Sequence, residues 1–220
     1  QRYNLNLRYN TYLIFFYNFV TIKINKILII KMPEKIKSII NSIMPLSISS
    51  LEKINNIITV ETLNKGASIT EINNTNNDEY FVLEGICKSF IDNTEGEEIT
   101  LSFFMSNAII SPYTTRIKNG KSVLNLKCLT DVTLAKMDAH KFENMMIEDE
   151  EIRNFANTVL RNELMHKVQK EIGLASLPAK IRLQMLRKKF PNIENLVPHA
   201  DIASYLGITT ISLSRLRSQS

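Results

Sequence analysis

Apolar positions recur at helical spacing near both ends of the chain and at strand spacing in between. Residues 33–58 carry apolar side chains every three or four positions, which predicts two short helices separated by Pro45 and residues 47–50. Between residues 59 and 138 the pattern becomes short apolar runs separated by turn residues, typical of an antiparallel β-roll or barrel. The predicted strands are 58–63, 80–83, 86–91, 98–104, 123–126 and 132–136.

The longest predicted helix runs from residue 148 to about residue 173. Acidic residues 148–151 suit its positive N-terminal end, and an apolar stripe follows along its length. A roll can cover only part of that stripe, so we expect a two-fold helix pair between two copies of the chain. The alternative is that the helix packs wholly on its own roll. The residues expected in the dimer contact are Ile152, Phe155, Val159, Leu160, Leu164 and Val168.

Residues 197–217 predict two short helices joined by a tight turn. Asp201 is expected to cap the first helix, Gly207 to end it in the left-handed conformation, and Thr209 to cap the second helix. The small Ala203 lies where the second helix crosses the first, and apolar residues follow at the spacing of a helix-turn-helix.

The outward face of the second helix carries short hydroxyl side chains and arginines. Such side chains reach base edges and phosphates without clashing, so the pattern predicts DNA binding. A helical hairpin that merely packs is the alternative. The candidate DNA-binding residues are Thr209, Thr210, Ile211, Ser212, Ser214, Arg215 and Arg217.

Charge is distributed unevenly along the 220 residues. Residues 32–176 carry 15 basic and 20 acidic side chains, whereas residues 177–220 carry seven basic and two acidic ones. Positive charge therefore gathers on the segment with the helix-turn-helix pattern, as expected for a module that binds phosphates.

The chain divides into four expected parts. Residues 1–31 are expected to be a non-native or disordered leader added by an over-long reading frame. A peripheral membrane anchor is the alternative. Their apolar run is too short to span a bilayer. Residues 32–147 are the expected effector-sensing roll, 148–173 the dimerisation helix and 177–220 the DNA-binding domain. A hinge is expected at 173–177, and residues 190–198 should form an extended connector or a rudimentary hairpin.

The sequence offers few candidate catalytic or metal-binding residues. Cys87 and Cys128 each lie in an apolar run, which predicts buried thiols in a reduced, cytoplasmic protein and no disulfide framework or metal site. Residues 59–136 contain no histidine, and no phosphate loop or catalytic triad pattern occurs in the sequence. We therefore expect neither an enzyme nor a bound cofactor.

Helix pair, roll, long helix and C-terminal helix-turn-helix, in that order, resemble the CRP/FNR superfamily of bacterial transcription regulators. The resemblance covers residues 32–220 and is most specific in Asp201-Ile-Ala-Ser-Tyr-Leu-Gly-Ile-Thr and Leu213-Ser-Arg-Leu-Arg. It implies an α+β fold with a cyclic-nucleotide-binding-like roll and a winged-helix-like DNA-binding domain. It also implies a homodimer on palindromic double-stranded promoter DNA, with RNA polymerase as a further partner.

Carried over by the same resemblance, Thr210, Ile211 and Arg215 would read bases, whereas Thr209, Ser212 and Arg217 would contact phosphates. Cyclic-nucleotide binders of the family need a glycine-glutamate pair and a following arginine, and this chain departs from that pattern. Arg116, Lys121 and Ser122 are the candidate effector-binding residues. Two alternatives to a regulator remain: a small-ligand sensor whose DNA binding depends on the ligand, and a protein-interaction module.

Overall fold

The computed structural model describes residues 32–110 and 120–218. Within it, the chain from Glu34 onward forms one compact unit. The expectation for residues 1–31 and the candidate residue Arg116 lie outside the described residues.

A roll of two four-stranded antiparallel sheets forms the centre of the described chain. One sheet has the order β1-β8-β3-β6 and the other β2-β7-β4-β5. The six predicted strands are confirmed to within a few residues, and the short β2 and β6 were not predicted. The strands are β1 (Ile58–Leu63), β2 (Ser68–Thr70), β3 (Asp78–Glu84), β4 (Ile86–Asp92), β5 (Glu98–Met105), β6 (Ile109–Ile110), β7 (Asn125–Cys128) and β8 (Val132–Asp138).

Apolar side chains from both sheets meet inside the roll, because alternate residues of each strand point to the same face. The cluster includes Val82, Cys87, Leu126, Cys128 and Leu134, each of which is almost fully buried. Burial of this kind, at roughly 25 cal/mol per Å² of apolar surface, is the main source of stability for such a roll.

A single residue, Gly85, connects β3 to β4. Its φ is 86°, in the left-handed region, and a Cβ atom built on it would lie 2.2 Å from the carbonyl oxygen of Asp131. The following residue, Ile86, donates its backbone N–H to the Thr130 hydroxyl at 2.9 Å. Glycine therefore lets two turns of the roll approach backbone to backbone.

Two short helices precede the roll: α1 (Glu34–Ile43) and α2 (Ile48–Asn55). Ser47 caps α2 by accepting the N–H of Ser50 at 3.3 Å. Asp149, which caps the long helix, accepts hydrogen bonds from Lys53 Nζ at 2.7 Å and from the Ser50 hydroxyl at 3.0 Å. The hydrogen bond from Lys53 holds the pKa of Asp149 below its ordinary value. These contacts fix the start of the long helix on the N-terminal helices.

After the roll come α3 (Ala139–Glu148) and the 27-residue α4 (Glu150–Ser176), which continues beyond the predicted end at residue 173. Ile152 and Phe155 are only 0% and 2% exposed because their own chain covers them, so their assignment to a dimer contact was wrong. Val159 and Leu160 are half-buried. Leu164 and Val168, further along the stripe, are 64% and 40% exposed.

Four helices complete the described chain: α5 (Ala179–Lys189), α6 (Ile193–Leu196), α7 (His199–Leu206) and α8 (Thr210–Ser218). The prediction of an extended connector at residues 190–198 was wrong, because this segment contains α6. The wing of a winged helix is made of β-strands, and residues 177–218 contain none. The C-terminal helices therefore show a helix-turn-helix without a wing in this range. Within the described ranges, no helix is long and apolar enough to cross a membrane.

Gly85→Ala should destabilise the roll much more than Gly66→Ala. Both glycines have nearly the same φ, 86° and 85°, but a Cβ at Gly66 would meet nothing within 4 Å. Gly66→Ala should therefore cost only the left-handed backbone penalty of about 1–2 kcal/mol. Gly85→Ala adds a clash with the Asp131 carbonyl oxygen. Urea unfolding of the two variants measures the difference, and equal losses of stability would contradict the close approach.

Candidate nucleic-acid interface

Helices α7 and α8 form the helix-turn-helix that the sequence predicts. Gly207 has a φ of 64° and ends α7, and the Thr209 hydroxyl caps α8 by accepting the N–H of Ser212 at 3.1 Å. Both predictions are confirmed. The prediction that Asp201 caps α7 was wrong, because the helix begins at His199 and Asp201 lies in its first turn.

The two helices cross through their apolar faces. Ala203 is 2% exposed at the crossing, where a larger side chain would separate the helices. Ile202, Leu206 and Leu213 complete the contact, and all three are buried. Packing of this kind leaves the opposite face of α8 uncovered.

Part of the outward face that the sequence predicts for α8 is exposed. Thr210, Ser214 and Arg215 are exposed, and Ile211 is 65% exposed. Arg215 makes no ion pair within the part of the chain that the structure describes, so its guanidinium group is available to a phosphate or a base. Ser212 is half-buried, and its hydroxyl accepts a hydrogen bond from Thr209 at 3.0 Å.

Arg217 is placed differently from Arg215. Its Nε lies 3.1 Å from Glu194 Oε1, and Glu194 also pairs with Arg187 at 2.6 Å. The pKa of Glu194 lies below its ordinary value, and the hydrogen bond from Arg187 is the largest cause. Arg217 therefore helps to hold α8 on α6, and a phosphate would have to compete with a carboxylate for it.

Helix α7 docks on the roll through a buried lysine. Lys88, in the middle of β4, has a side chain only 1% exposed, and its Nζ lies 2.5 Å from both Glu98 Oε2 and Asp201 Oδ1. Glu98 also accepts a hydrogen bond from Lys127. The lysine thus joins a carboxylate of the roll to a carboxylate of the helix-turn-helix.

The pKa of Glu98 determines how the contribution of this ion-pair network to stability depends on pH. Burial raises its pKa, but hydrogen bonds from Lys127 and Lys88 outweigh that effect, so the folded-state pKa lies below its ordinary value. A carboxyl with a lowered pKa stabilises the fold above its unfolded pKa, and this stabilisation is lost as the pH falls through the folded pKa.

Aromatic and backbone contacts extend the docking. Phe103 of β5 packs edge-on against Phe190, with ring centroids 6.1 Å apart, and lies 5.3 Å from the Tyr205 ring. The Ser204 hydroxyl accepts the Thr100 N–H at 2.9 Å and donates to the Glu98 carbonyl at 3.3 Å. Strand β5 therefore holds α7 by apolar, polar and ionic contacts together.

A cleft of about 460 Å³ lies between α4 and helices α5 and α7. Lys170 projects into it, donates to the Leu101 carbonyl at 2.6 Å and lies 4.0 Å from the Tyr205 ring centre. Burial, followed by the charge of Lys167, lowers the pKa of Lys170 to about 8. His166, Arg182 and other basic residues line the same cleft, which is therefore suited to small anions.

Two of the three candidate effector residues lie in the described part of the chain, and only one of them is exposed. Ser122 is 1% exposed, and its hydroxyl donates to the Leu124 carbonyl at 2.6 Å. Lys121 is exposed in an isolated bridge to Thr75. The third candidate, Arg116, lies in the gap between the two described ranges.

Comparison with known proteins supports the architecture described above. Residues 60–149 match the family model of the cyclic nucleotide-binding domain, and the sequence matches no curated protein. The structure is similar to FixK2 from Bradyrhizobium japonicum, with a TM-score of 0.64 and 18% identity, covering 74% of this chain and 84% of FixK2.

Two further solved structures share the fold. The c-di-GMP responsive global regulator CLP from Xanthomonas campestris gives a TM-score of 0.62 and 14% identity, covering 79% of this chain and 91% of CLP. A protein described as a transcriptional regulator of the crp/fnr family from Eubacterium rectale gives 0.61 and 18%, covering 78% of this chain and 82% of that chain.

The part of the chain that matches a cyclic nucleotide-binding domain is therefore followed by a long helix and a C-terminal helix-turn-helix. Taken as a whole, the chain has the α+β fold of the CRP/FNR transcription regulators. Of these structural relatives, CLP and the Eubacterium rectale protein are described as regulators.

The residues that dock the helix-turn-helix were missed by the sequence analysis. Lys88 gave a signal, because a charged residue in the middle of an apolar strand needs a partner when it is buried. The identity of that partner could not be read from the sequence, since Asp201 lies 113 residues away.

Asp201→Asn should weaken the docking of α7 on the roll. Replacing the carboxylate removes one of the two charged partners of a buried lysine, and hydrogen bonds to charged groups contribute about 1.5–3 kcal/mol. Glu95→Gln makes the same change of charge at an exposed turn and serves as the control. Thermal unfolding measures both, and equal midpoints for the two variants would contradict the docking role of Asp201.

Proposed function

We propose that the protein is a sequence-specific DNA-binding transcription regulator that acts as a homodimer. One observation carries the proposal: the outward face of α8, whose inner face is buried, presents Thr210, Ile211 and Arg215, and Arg215 has no ion pair among the described residues. A hairpin that merely packs does not need such a face. The basic balance of residues 177–220 supports the same function, since phosphate contacts dominate DNA affinity.

The proposed readers fall into two groups by their contacts. Thr210, Ile211, Ser214 and Arg215 face outward and would meet base edges, with Arg215 able to bind a guanine through two hydrogen bonds. Thr209, Ser212 and Arg217 already have partners in the fold, so they would contact phosphates at the edge of the interface.

The exposed half of the α4 stripe supports the homodimer. Leu164, Val168 and Ile172 lie four residues apart on one face, and each is at least 40% exposed. Large apolar side chains at that spacing are typical of a helix pair between subunits. Two copies joined there would carry two α8 helices, which suits a palindromic site read in successive major grooves.

The roll is proposed as the sensor of a small effector. The cyclic nucleotide-binding family match favours this role, whereas residues 106–110 and 120–124 depart from the family's pattern of a glycine-glutamate pair and a following arginine. The second candidate is a ligand-sensing protein whose DNA binding depends on the ligand. It is favoured by the basic cleft around Lys170, which lies between the long helix and the helix-turn-helix.

Fluorescence anisotropy with the chain's own upstream DNA and with scrambled DNA, at several salt concentrations, tests the proposal. Preferential binding without ligand supports a regulator that is competent alone. Binding that becomes selective only with added cyclic AMP supports the ligand-dependent alternative. Absence of binding to either DNA under both conditions would leave a protein-interaction module.

Arg215→Ala should reduce the preference for the specific site while keeping weak, salt-sensitive binding. A bidentate arginine-guanine contact contributes about 1–3 kcal/mol of discrimination between bases. Lys37→Ala removes an exposed positive charge from α1 and should leave the preference unchanged. Anisotropy titrations on specific and scrambled DNA measure the ratio of affinities, and an unchanged ratio for Arg215→Ala would contradict its role as a base reader.

Leu164→Glu should convert the dimer to a monomer. It places a charge in the middle of the exposed apolar stripe, where two helices would have to bury it. Asn162→Asp adds a negative charge on the opposite side of α4 and should leave the dimer intact. Sedimentation velocity measures the mass of both variants and of the unchanged protein. A dimer that persists in Leu164→Glu would show that the stripe is not the subunit contact.

A further inference from the structure

The two cysteines are direct neighbours across the roll. Cys87 of β4 and Cys128 of β7 are register partners in an antiparallel pair, and they are 0% and 1% exposed. Both are free thiols inside the apolar cluster of the roll. The prediction of buried thiols is confirmed. Their juxtaposition could not be predicted, because 40 residues separate them in the sequence.

The backbone hydrogen bonds show which kind of pair they form. The N–H of Leu129 donates to the carbonyl of Ile86 at 2.7 Å, one residue outside the two cysteines. In an antiparallel ladder that bond flanks a non-hydrogen-bonded pair, whose Cα atoms lie about 4.5 Å apart with both side chains on one face. Disulfides span Cα distances of about 4.4–6.8 Å, so the two sulfur atoms can be joined without separating or shifting the strands.

The two thiols also interact before any oxidation. A hydrogen bond between them lowers the pKa of Cys128, and the same contact raises the pKa of Cys87. Cys128 is therefore the thiol that ionises first, and Cys87 is positioned to react with it next. This is the arrangement of an attacking and a resolving cysteine.

The opposite face of the same strands carries the docking residues. Side chains alternate along a strand, so Ile86 and Lys88 point away from Cys87, and Leu129 points away from Cys128. Ile86 and Leu129 pack in one cluster with the C-terminal helices, and Lys88 holds Asp201 of α7. A covalent bond between β4 and β7 would thus act on the strand pair that carries the helix-turn-helix.

We propose that Cys87 and Cys128 form a reversible cross-strand disulfide that makes the docking of the C-terminal helices sensitive to peroxide. The Cys128 thiolate attacks hydrogen peroxide, the O–O bond breaks, and hydroxide leaves, giving a sulfenic acid. The Cys87 sulfur then attacks the Cys128 sulfur, the S–O bond breaks, and the thiol proton leaves with hydroxide as water. In total, two thiols lose two hydrogens and one peroxide becomes two waters.

Peroxide is suited to this site because it is small and uncharged. Folded proteins open locally, and a molecule of this size can enter the apolar interior during such an opening more readily than a bulky oxidant. Dithiothreitol, which supplies two electrons and two protons, restores the thiols. The disulfide itself is independent of the proposed function. Its effect on DNA affinity rests on that function.

The test treats the full chain with hydrogen peroxide and measures intact mass and peptide linkage under non-reducing conditions. We expect the loss of two hydrogens, a linked peptide pair containing Cys87 and Cys128, and complete reversal by dithiothreitol. In Cys87→Ser, whose hydroxyl can keep the hydrogen bond to Cys128 but cannot form a disulfide, Cys128 should accumulate as a sulfenic acid that dimedone traps. In Cys128→Ala, Cys87 should remain a thiol. Two free thiols in the unchanged protein, at a peroxide dose that oxidises free glutathione, would overturn the proposal.

Limited proteolysis at the junction between α4 and α5 reports the docking. The oxidised chain should be cut there more slowly than the reduced chain, because the cross-link ties together the two strands that carry the docking residues. The double variant Cys87→Ala/Cys128→Ala should show no difference between the two conditions. An unchanged rate in the oxidised protein would overturn the link to docking. If disulfide formation and slower cleavage both occur but the protein binds no DNA in either state, the proposed function fails while this inference stands.

Discussion

The placement of the helix-turn-helix depends on one buried lysine. Lys88 lies in the middle of strand β4 and is only 1% exposed, and an ammonium group buried in this way costs several kcal/mol unless carboxylates surround it. Glu98 and Asp201 provide them, one from the roll and one from α7. Since only one of these partners belongs to the roll, the lysine is fully compensated only when the C-terminal helices are docked. The aromatic contacts of Phe103 add area to this interface, but the ionic contacts fix its register.

The same interface explains why the roll and the C-terminal helices form one compact unit. Ile86, Phe103 and Leu129 on the outside of the roll share an apolar cluster with residues from α5 to α8. The inside of the roll is packed by a separate cluster that contains both cysteines. Strands β4 and β7 therefore have two buried faces, and a change on one face is transmitted to the other through a thickness of one strand.

Local patterns were sufficient to predict most of the fold. The six longer strands, the two N-terminal helices and the α7–α8 turn follow from apolar spacing and from residues such as Gly207 and Thr209, whose conformations are set locally. The short strands β2 and β6 were not predicted, because an alternation of apolar and polar positions cannot be recognised over two or three residues. The long helix was predicted, but its stripe alone could not show that Ile152 and Phe155 are covered by their own chain. The docking residues depend on contacts between distant parts of the sequence, and no local pattern encodes those.

Lys88 also limits how freely such a protein can be recombined. Transcription regulators are often regarded as modular, so that one ligand-binding domain can be joined to a different DNA-binding domain. A domain that replaces the C-terminal helices of this chain would need an acidic residue in the first turn of the helix equivalent to α7. Without it, the buried ammonium group of Lys88 would lose one of its two carboxylate partners. Chimaeras that keep this roll should therefore be designed with that carboxylate retained, and position 201 should be treated as part of the roll's interface rather than as part of an exchangeable C-terminal domain.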